Sequence, residues 1–494
     1  MKSLVVGLDL GTTLCKVGAF ELDGTLVGSA QKAITTYRPF SGWVEQDPLE
    51  WKQAIIEVLG RLVADLGAKA DRVEAIGLSC HGPSLIPTDE YFRPLWRCPI
   101  WQDQRASHLI DALIQKTGSE WIGLGTPESS FGVQLFWAIQ NRPEILEKAA
   151  HLFDAKGYLL AILTGRAVDE PSSSPGGEGV NQSLFDALGI DTRLLAKSVP
   201  SLSVVGELTP EIRMGANLPR PVKVIAGLND GAAATLGSGI VELGQGIVSL
   251  STNGVMRTTI PNHLPGKILL DKSMFCYSYV NNMFVTGGMT RCGGDSVKWL
   301  IEIFYRERQD EPSVFDRIAS EASESPIGAN GVRFMPYLVG MGTPHPTNIP
   351  QGAFLNLARS NTRADFTRAL LEGSAFALKD IGETFNDLGL AWENLRFTGG
   401  GSKNPVWRQI VADILGKPLS GARSDSVLGV AMMVAISLDL FRNIKEAVKT
   451  MVSKTFYVEP VEGNKDLYEQ IYQEFKRAKA ILREIMDQPN KNKG

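Results

Sequence analysis

Residues 4–20 read Leu-Val-Val-Gly-Leu-Asp-Leu-Gly-Thr-Thr-Leu-Cys-Lys-Val-Gly-Ala-Phe. Residues 4–10 are apolar and β-rich, Gly11-Thr12-Thr13 is a tight polar turn, and residues 16–21 are strand-like again. A buried strand thus delivers a carboxylate, Asp9, to a Gly-Thr turn. Backbone N–H groups and hydroxyls of such a turn can hold phosphate oxygens. The carboxylate can hold Mg2+, directly or through water. The same five residues also make a plain hairpin turn with a capping aspartate, so the rest of the chain has to decide.

The unit recurs once. Residues 247–250 are a strand, Ser251-Thr252-Asn253-Gly254 is a polar turn, and residues 255–258 are a strand again. Two such hairpins, one per half, could clasp a polyphosphate from both sides of a cleft. They also hint at an internal duplication. Between and beyond them strands alternate with helices, which argues for an α/β class. Residues 51–66 carry Ile55, Leu59, Leu62, Val63 and Leu66 at helical spacing. Residues 73–78 are a short buried strand that ends in Ser79-Cys80-His81-Gly82. Residues 222–226 are another, entering Gly227-Leu228-Asn229-Asp230-Gly231 and a small-residue run that starts a closely packed helix. Residues 467–486 form an amphipathic C-terminal helix whose tail, from Gln488, should fray. The Pro/Ser/Gly-rich residues 171–179 read as a long loop.

The chain has 494 residues, room for two to four domains of about 100–200 residues each. Fifty Lys and Arg stand against 54 Asp and Glu, a net charge of −4 that argues against a nucleic-acid partner. The five cysteines are odd in number and include no C-x-x-C pair, which excludes a disulfide framework and a zinc cluster. The N-terminal apolar run is too short for a signal peptide. Residues 427–438, the least polar later stretch, fall short of the ~20 that a membrane helix needs. The expectation is a cytoplasmic protein with no membrane partner.

Four further constellations could carry chemistry. Gly399-Gly400-Gly401-Ser402-Lys403-Asn404 joins the strand at 395–398 to the helix at 406–415. Its glycines would let backbone approach a ligand, and the helix N-terminus would offer N–H donors. Asp230, at a strand's C-terminal end, suits a general base and equally suits an N-cap. Trp101-Gln102-Asp103-Gln104-Arg105 offers one ring to stack on a sugar and four polar groups to bond it. His81 follows a buried strand and could reach the same cleft. Glu45 and Asp47 read as a helix start rather than a glycosidase pair. No P-loop, no G-x-G-x-x-G and no protein-kinase H-R-D or D-F-G set occurs. ATP use, if any, follows another route.

Taken together the chain resembles the FGGY family of carbohydrate kinases, in the actin-like ATPase superfamily, with xylulokinases as the nearest flavour. The resemblance runs from about residue 4 to 480. GLDLGTTLCKVGAF from Gly7, GWVEQDP from Gly42, WQDQR from Trp101 and AGLNDGAAATLGSG from Ala226 carry it in the first half. SLSTNGV from Ser249, GGMTRCGGDSVKWL from Gly287, FMPYLVGMGTPHP from Phe334, TRADFTRALLEGSAFAL from Thr362 and FTGGGSKNPVWRQIVADILGKP from Phe397 continue it.

The resemblance implies two duplicated actin-like (ribonuclease H-like) ATPase domains around a central cleft, residues 1–245 and 246–494. It implies ATP as phosphate donor, Mg2+, and a small sugar or polyol acceptor; the oligomeric state stays open, with a homodimer as the candidate. Asp230 matches the catalytic base and Asp9 the aspartate near Mg2+. Thr12, Thr13 and Lys16 match the first phosphate loop, Thr252 and Gly254 the second. Gly294, Gly400, Gly401 and Asn404 match positions lining the nucleotide. His81, Trp101, Asp103 and Arg105, with Asp230, fall on the sugar side. That side departs from xylulokinases: the segment at Ser79–Gly82 is two residues shorter, Gly231 stands where an asparagine is usual, Gln134 where a lysine is common, and Asn356 where a glycine is usual. D-xylulose or a related pentulose is the first acceptor implied; glycerol, L-xylulose, ribulose and sugar alcohols are alternatives. A non-catalytic sensor or a conformational ATPase on the same scaffold is the remote alternative.

Overall fold

The computed structural model describes residues 3–124, 127–173, 182–306, 311, 313–422 and 425–486. The predicted loop at 171–179, beyond residue 173, and the tail from 487 lie outside them.

Three strands open the chain: β1 (Leu4–Leu10), β2 (Leu14–Phe20) and β3 (Leu26–Ala33). α1 (Pro48–Leu66) follows, with Asp47 as its N-cap and Pro48 in its first turn. This is the helix predicted at 51–66; it starts three residues earlier because a cap and a proline carry no hydrophobic signal. Then come β4 (Val73–Cys80), α2 (Ala155–Thr164), β5 (Val204–Glu207), β6 (Lys223–Asn229) and α3 (Asp230–Gly237). The sheet order is β5-β6-β4-β1-β2-β3. β1, β4 and β6 run parallel, and their continuous apolar sequences fit strands covered on both faces.

The second half repeats the scheme with β7 (Gln245–Leu250), β8 (Gly254–Ile260), β9 (Met274–Ser278), β10 (Phe284–Met289), α4 (Gly294–Phe304), α5 (Arg363–Asp387) and β11 (Glu393–Thr398). It ends with α6 (Pro405–Leu415), β12 (Leu419–Ala422), α7 (Ser426–Ser437), β13 (Lys454–Val458) and α8 (Lys465–Met486). Its sheet order is β9-β10-β8-β7-β11-β12-β13. The run β3-β2-β1-β4-β6-β5 is antiparallel, antiparallel, parallel, parallel, antiparallel. The run β10-β8-β7-β11-β12-β13 follows the same series. The duplication hinted at by two hairpins is therefore a duplication of the sheet, with β9 added at one edge.

One helix crosses between the halves. α7 follows β12 in sequence but packs on β1, β4 and α3. Its backbone lies so close that a Cβ on Gly7 would overlap the Val427 carbonyl, and one on Gly77 the Val430 carbonyl. Residues 427–435 are all buried in this contact. That accounts for an apolar stretch too short for a membrane. Among the described residues no helix is long and apolar enough to cross one.

Register brings the strand ends level. Leu10 pairs with Cys80, and Cys80 with Asn229, so Asp9, Ser79 and Asp230 share one edge of the first sheet. Ser249 pairs with Thr398, which sets the turn at 251–253 beside Gly399 at the same edge of the second.

Candidate active site

Asp9 ends β1 almost fully buried, and its Oδ1 accepts a hydrogen bond of 2.7 Å from Ser79 Oγ on β4. Its Oδ2 lies on the side of Gly11. Lys16 is Asp9's register partner on β2, so the two side chains stand on one face; it also lines a shallow hollow with Asp425. The Gly-Thr turn is braced from behind. Trp101 Nε1 donates to Thr12 Oγ1 at 2.8 Å, and Gln46 Nε2 donates to the Thr12 carbonyl at 2.6 Å. Thr13 is exposed.

The ambiguity at Asp230 resolves in the structure. Asn229 is the N-cap of α3, its Oδ1 accepting from the Ala232 amide at 2.8 Å. Asp230 is left in the first turn, half-buried, at the end of β6. Enclosure by protein and then the charge of Asp9 push its carboxyl up to about 6, while Arg257 and Lys156 oppose the shift. The strand is bent to this position by a bulge between Ile225 and Leu228. Gly227 supplies its φ of +75°, and a Cβ there would overlap the Leu78 carbonyl. The wholly buried Lys156, on α2, staples the bulge. Its Nζ donates to the carbonyls of Leu78 (2.6 Å), Leu228 (2.7 Å) and Ala226 (3.2 Å), which uses all three ammonium donors. Ser172 holds the cap in turn: its Oγ accepts from the Asn229 amide at 2.7 Å and its carbonyl from Asn229 Nδ2 at 2.6 Å.

The residues predicted on the sugar side part company. His81 is 1% exposed, sits edge-on to Trp51, and has no partner on either ring nitrogen among the described residues. Burial lowers its imidazole to about 4, so at neutral pH it is uncharged, with one donor and one acceptor unused. Asp103 and Arg105 direct their charges inward. Arg105 pairs with Asp103 and Glu45 at 2.8 Å each and lies 3.7 Å over the Trp43 ring. Asp103 Oδ2 also accepts from the Val44 amide at 2.6 Å. Glu45 and Asp47 are thus an ion-pair partner and a helix cap, not a carboxylate pair.

At the second edge the turn at 251–253 is tied to the segment before α4. The Gly254 amide donates to the Cys292 carbonyl at 2.6 Å, and the Gly294 amide to the Ser251 carbonyl at 2.6 Å. These two amides hold the loops together, while the Thr252 side chain is exposed. Gly399 has a φ of +83°, and a Cβ there would overlap the Leu250 carbonyl. Gly400 faces open space, and Gly401 packs under Trp407. Asn404 caps α6, accepting from the Val406 and Trp407 amides at 2.9 and 3.1 Å.

Two duplicated sheets with a carboxylate on one edge and glycine turns on the other match a known family. The N-terminal domain of FGGY-family carbohydrate kinases matches residues 4–237, and the C-terminal domain matches residues 234–438. The chain belongs to the FGGY family of carbohydrate kinases. It is an ATP-dependent carbohydrate kinase with the two-domain fold of that family. A xylulose kinase of Staphylococcus epidermidis is 28% identical over 96% of this chain and 95% of its own. A gluconokinase of Bacillus subtilis is 26% identical over 95% and 94%. The crystal structure of a xylulose kinase from Rhodospirillum rubrum superposes with a TM-score of 0.88 at 24% identity, covering 98% of this chain and 99% of that one.

In this FGGY kinase, residues outside the quoted motifs also stand around the candidate site: Ser79, Lys156, Ser172, Arg257 and Tyr277. Lys156 had a signal, a lone cation entering the apolar Tyr158–Leu163 run. The others had none, since they matter through neighbours distant in sequence. Tyr277 belongs to a cavity of about 590 Å³ that both halves line, with Pro83, Gly123, Ser130, Ser172 and His263 among its walls. No group of three or more metal-binding side chains occurs among the described residues. A single carboxylate oxygen beside a Gly-Thr turn nevertheless suits Mg2+, which keeps most of its shell as water and substrate phosphate. Asp9 Oδ2 fits that description.

Proposed function

We propose that this kinase transfers the γ-phosphoryl group of ATP to a terminal hydroxyl of a ketose, with D-xylulose or a related pentulose as acceptor. The observation that carries the reading is Asp230: a carboxylate held near a pKa of about 6, beside Asp9, at the levelled ends of three parallel strands. A base poised near the working pH is what removal of a hydroxyl proton asks for. Asp230 takes the acceptor's O–H proton, the freed oxygen forms a bond to the γ-phosphorus, and the bond to the ADP oxygen breaks. Positioning and charge stabilisation supply most of the rate in this chemistry.

Thr12, Thr13 and Lys16 are assigned to one side of the phosphates, and Thr252 with the loop held by Gly254 and Gly294 to the other. Gly400, Gly401 and Asn404 are assigned to the nucleotide. Mg2+, held through Asp9, would neutralise phosphate charge when bound. Neutral His81 and the Trp101 ring are assigned to the acceptor; Asp103 and Arg105 then support the wall beside Trp101. The halves are residues 1–245 and 246–494, and closure between them excludes water. Five buried free cysteines fit the reducing cytoplasm.

The xylulose kinase relative puts D-xylulose first on the panel, and the gluconokinase adds gluconate. The protein is incubated with MgATP and D-xylulose, L-xylulose, ribulose, glycerol or gluconate, and ADP and phosphorylated products are followed by mass spectrometry. Acceptor-dependent ADP release with a matching acceptor phosphate is expected. Hydrolysis independent of every acceptor would overturn the reading.

A further inference from the structure

Gly231 follows Asp230 in the first turn of α3, and what keeps it a glycine comes from the other half of the molecule. A Cβ at 231 would overlap Tyr277 Oη and stand 3.1 Å from Tyr277 Cζ. Any side chain at 231 would need the space that this hydroxyl fills. Tyr277 lies on β9, the strand added to the second sheet. Its ring stacks on Phe275 two residues away, centroids 5.6 Å apart and planes within 9°, which holds it in place. It is 6% exposed, and among the described residues Arg257 is the one group placed to bond Oη, at a geometry short of a well-formed hydrogen bond. Buried hydroxyls nearly always have one, from protein, water or ligand. Tyr277 also lines the cavity between the halves, together with Ser173 and with Ser172, which bonds the Asn229 cap. Arg257, on β8, sets its charge between Tyr277 and Asp230, its buried Nε making no well-formed hydrogen bond among the described residues.

We propose that Tyr277 is a specificity-determining residue of the acceptor site: its hydroxyl, brought from the C-terminal half, bonds an acceptor hydroxyl next to the one that Asp230 deprotonates, in the space a side chain at 231 would take. The proposal rests on the reading of Asp230 as base. A phenol can donate and accept at once, which matches an alcohol. Burial pushes the Tyr277 hydroxyl up to about 12, so it stays protonated over the working range. The acceptor class is a polyhydroxylated chain rather than a simple alcohol. The acceptor site is then built from both halves, and acceptor binding itself favours the closed arrangement.

The test uses the full-length protein and the acceptor from the panel that it phosphorylates best. Tyr277→Phe removes one oxygen. It should raise the acceptor KM about tenfold or more, with kcat and the KM for ATP within about twofold. Gly231→Ala pushes the hydroxyl aside and should give a similar rise. The Gly231→Ala/Tyr277→Phe double variant should be no worse than either single, because both delete the same contact. An unchanged acceptor KM in Tyr277→Phe overturns the proposal, and so do single losses that multiply in the double variant. Asp230→Asn in the same assay separates the two layers. If it abolishes turnover while Tyr277→Phe is silent, only the role of Tyr277 fails. If it retains turnover, the base assignment fails, and the proposal with it.

Discussion

The two sheets follow one topological plan but place different chemistry on their edges. The first edge carries titratable groups: Asp9, Asp230 and, behind them, Lys156. The second carries hydroxyls and glycines: Thr252, Gly254, Gly293, Gly294 and Gly399–Gly401. Under the proposed function, a duplicated fold is divided into a side that handles a proton and a side that lets backbone approach phosphate. Substitutions at Asp230 and its supports should therefore act on turnover, and those on the second edge on nucleotide binding.

The largest expected effect is at Asp230. Asp230→Asn should lower kcat by roughly 10²–10⁴-fold, the range for general-base removal, and leave the KM for ATP within twofold in a coupled assay. Equal losses in both parameters would break the contrast between the edges.

Lys156→Met comes next. It leaves the carbonyls of Leu78, Ala226 and Leu228 buried without their donor. Removing one partner of a buried polar set costs about 2–4 kcal/mol, readable as a lower midpoint in urea. Because the same carbonyls hold the bulge that aims Asp230, kcat should fall as well.

Within the second edge, two neighbouring glycines should differ. Gly399→Ala meets both a positive φ and the Leu250 carbonyl, and should destabilise by about 1–3 kcal/mol in thermal unfolding. Gly400→Ala faces open space, so it should leave stability unchanged and raise only the KM for ATP, a few-fold.

The pH dependence reads the Asp230 carboxylate directly. The ionised base is the active form, so kcat/KM should fall about tenfold per pH unit below about 6 and level off above it. Linkage carries the opposite sign. A carboxyl raised from 3.8 to about 6 by folding weighs against the folded state when ionised. Asp230→Asn should thus be more stable than the parent above pH 6, by at most about 3 kcal/mol. That gain should shrink between pH 6 and 4 and vanish below. A gain that persists at pH 3 would point to a different cause.

Much of this was readable along the chain. The strand-turn-strand units at residues 4–20 and 247–258 appear where their patterns place them, as do the helix after Gly399–Gly401 and the C-terminal amphipathic helix. Boundaries differ by up to three residues, as with β6, which runs on to Asn229. Polar ends of strands pair through backbone, which hydropathy does not register. The site was half legible. Asp9 and Asp230 stand out because each ends an apolar strand at a glycine turn. The pattern in WQDQR suggested free sugar-binding groups, whereas Arg105 and Asp103 satisfy each other.

The amino-acid sequence by itself determined the α/β class, the two hairpins, the candidate base and the family, because these rest on local periodicity and on residues close together in the chain. Only the tertiary structure decided that Asn229, not Asp230, caps α3, that Lys156 holds the bulge beneath it, and that Tyr277 fills the space above Gly231. Each of those depends on groups between 3 and 78 residues apart meeting in one low-dielectric place. There, hydrogen-bond satisfaction and excluded volume set the outcome, and neither is written in local sequence pattern.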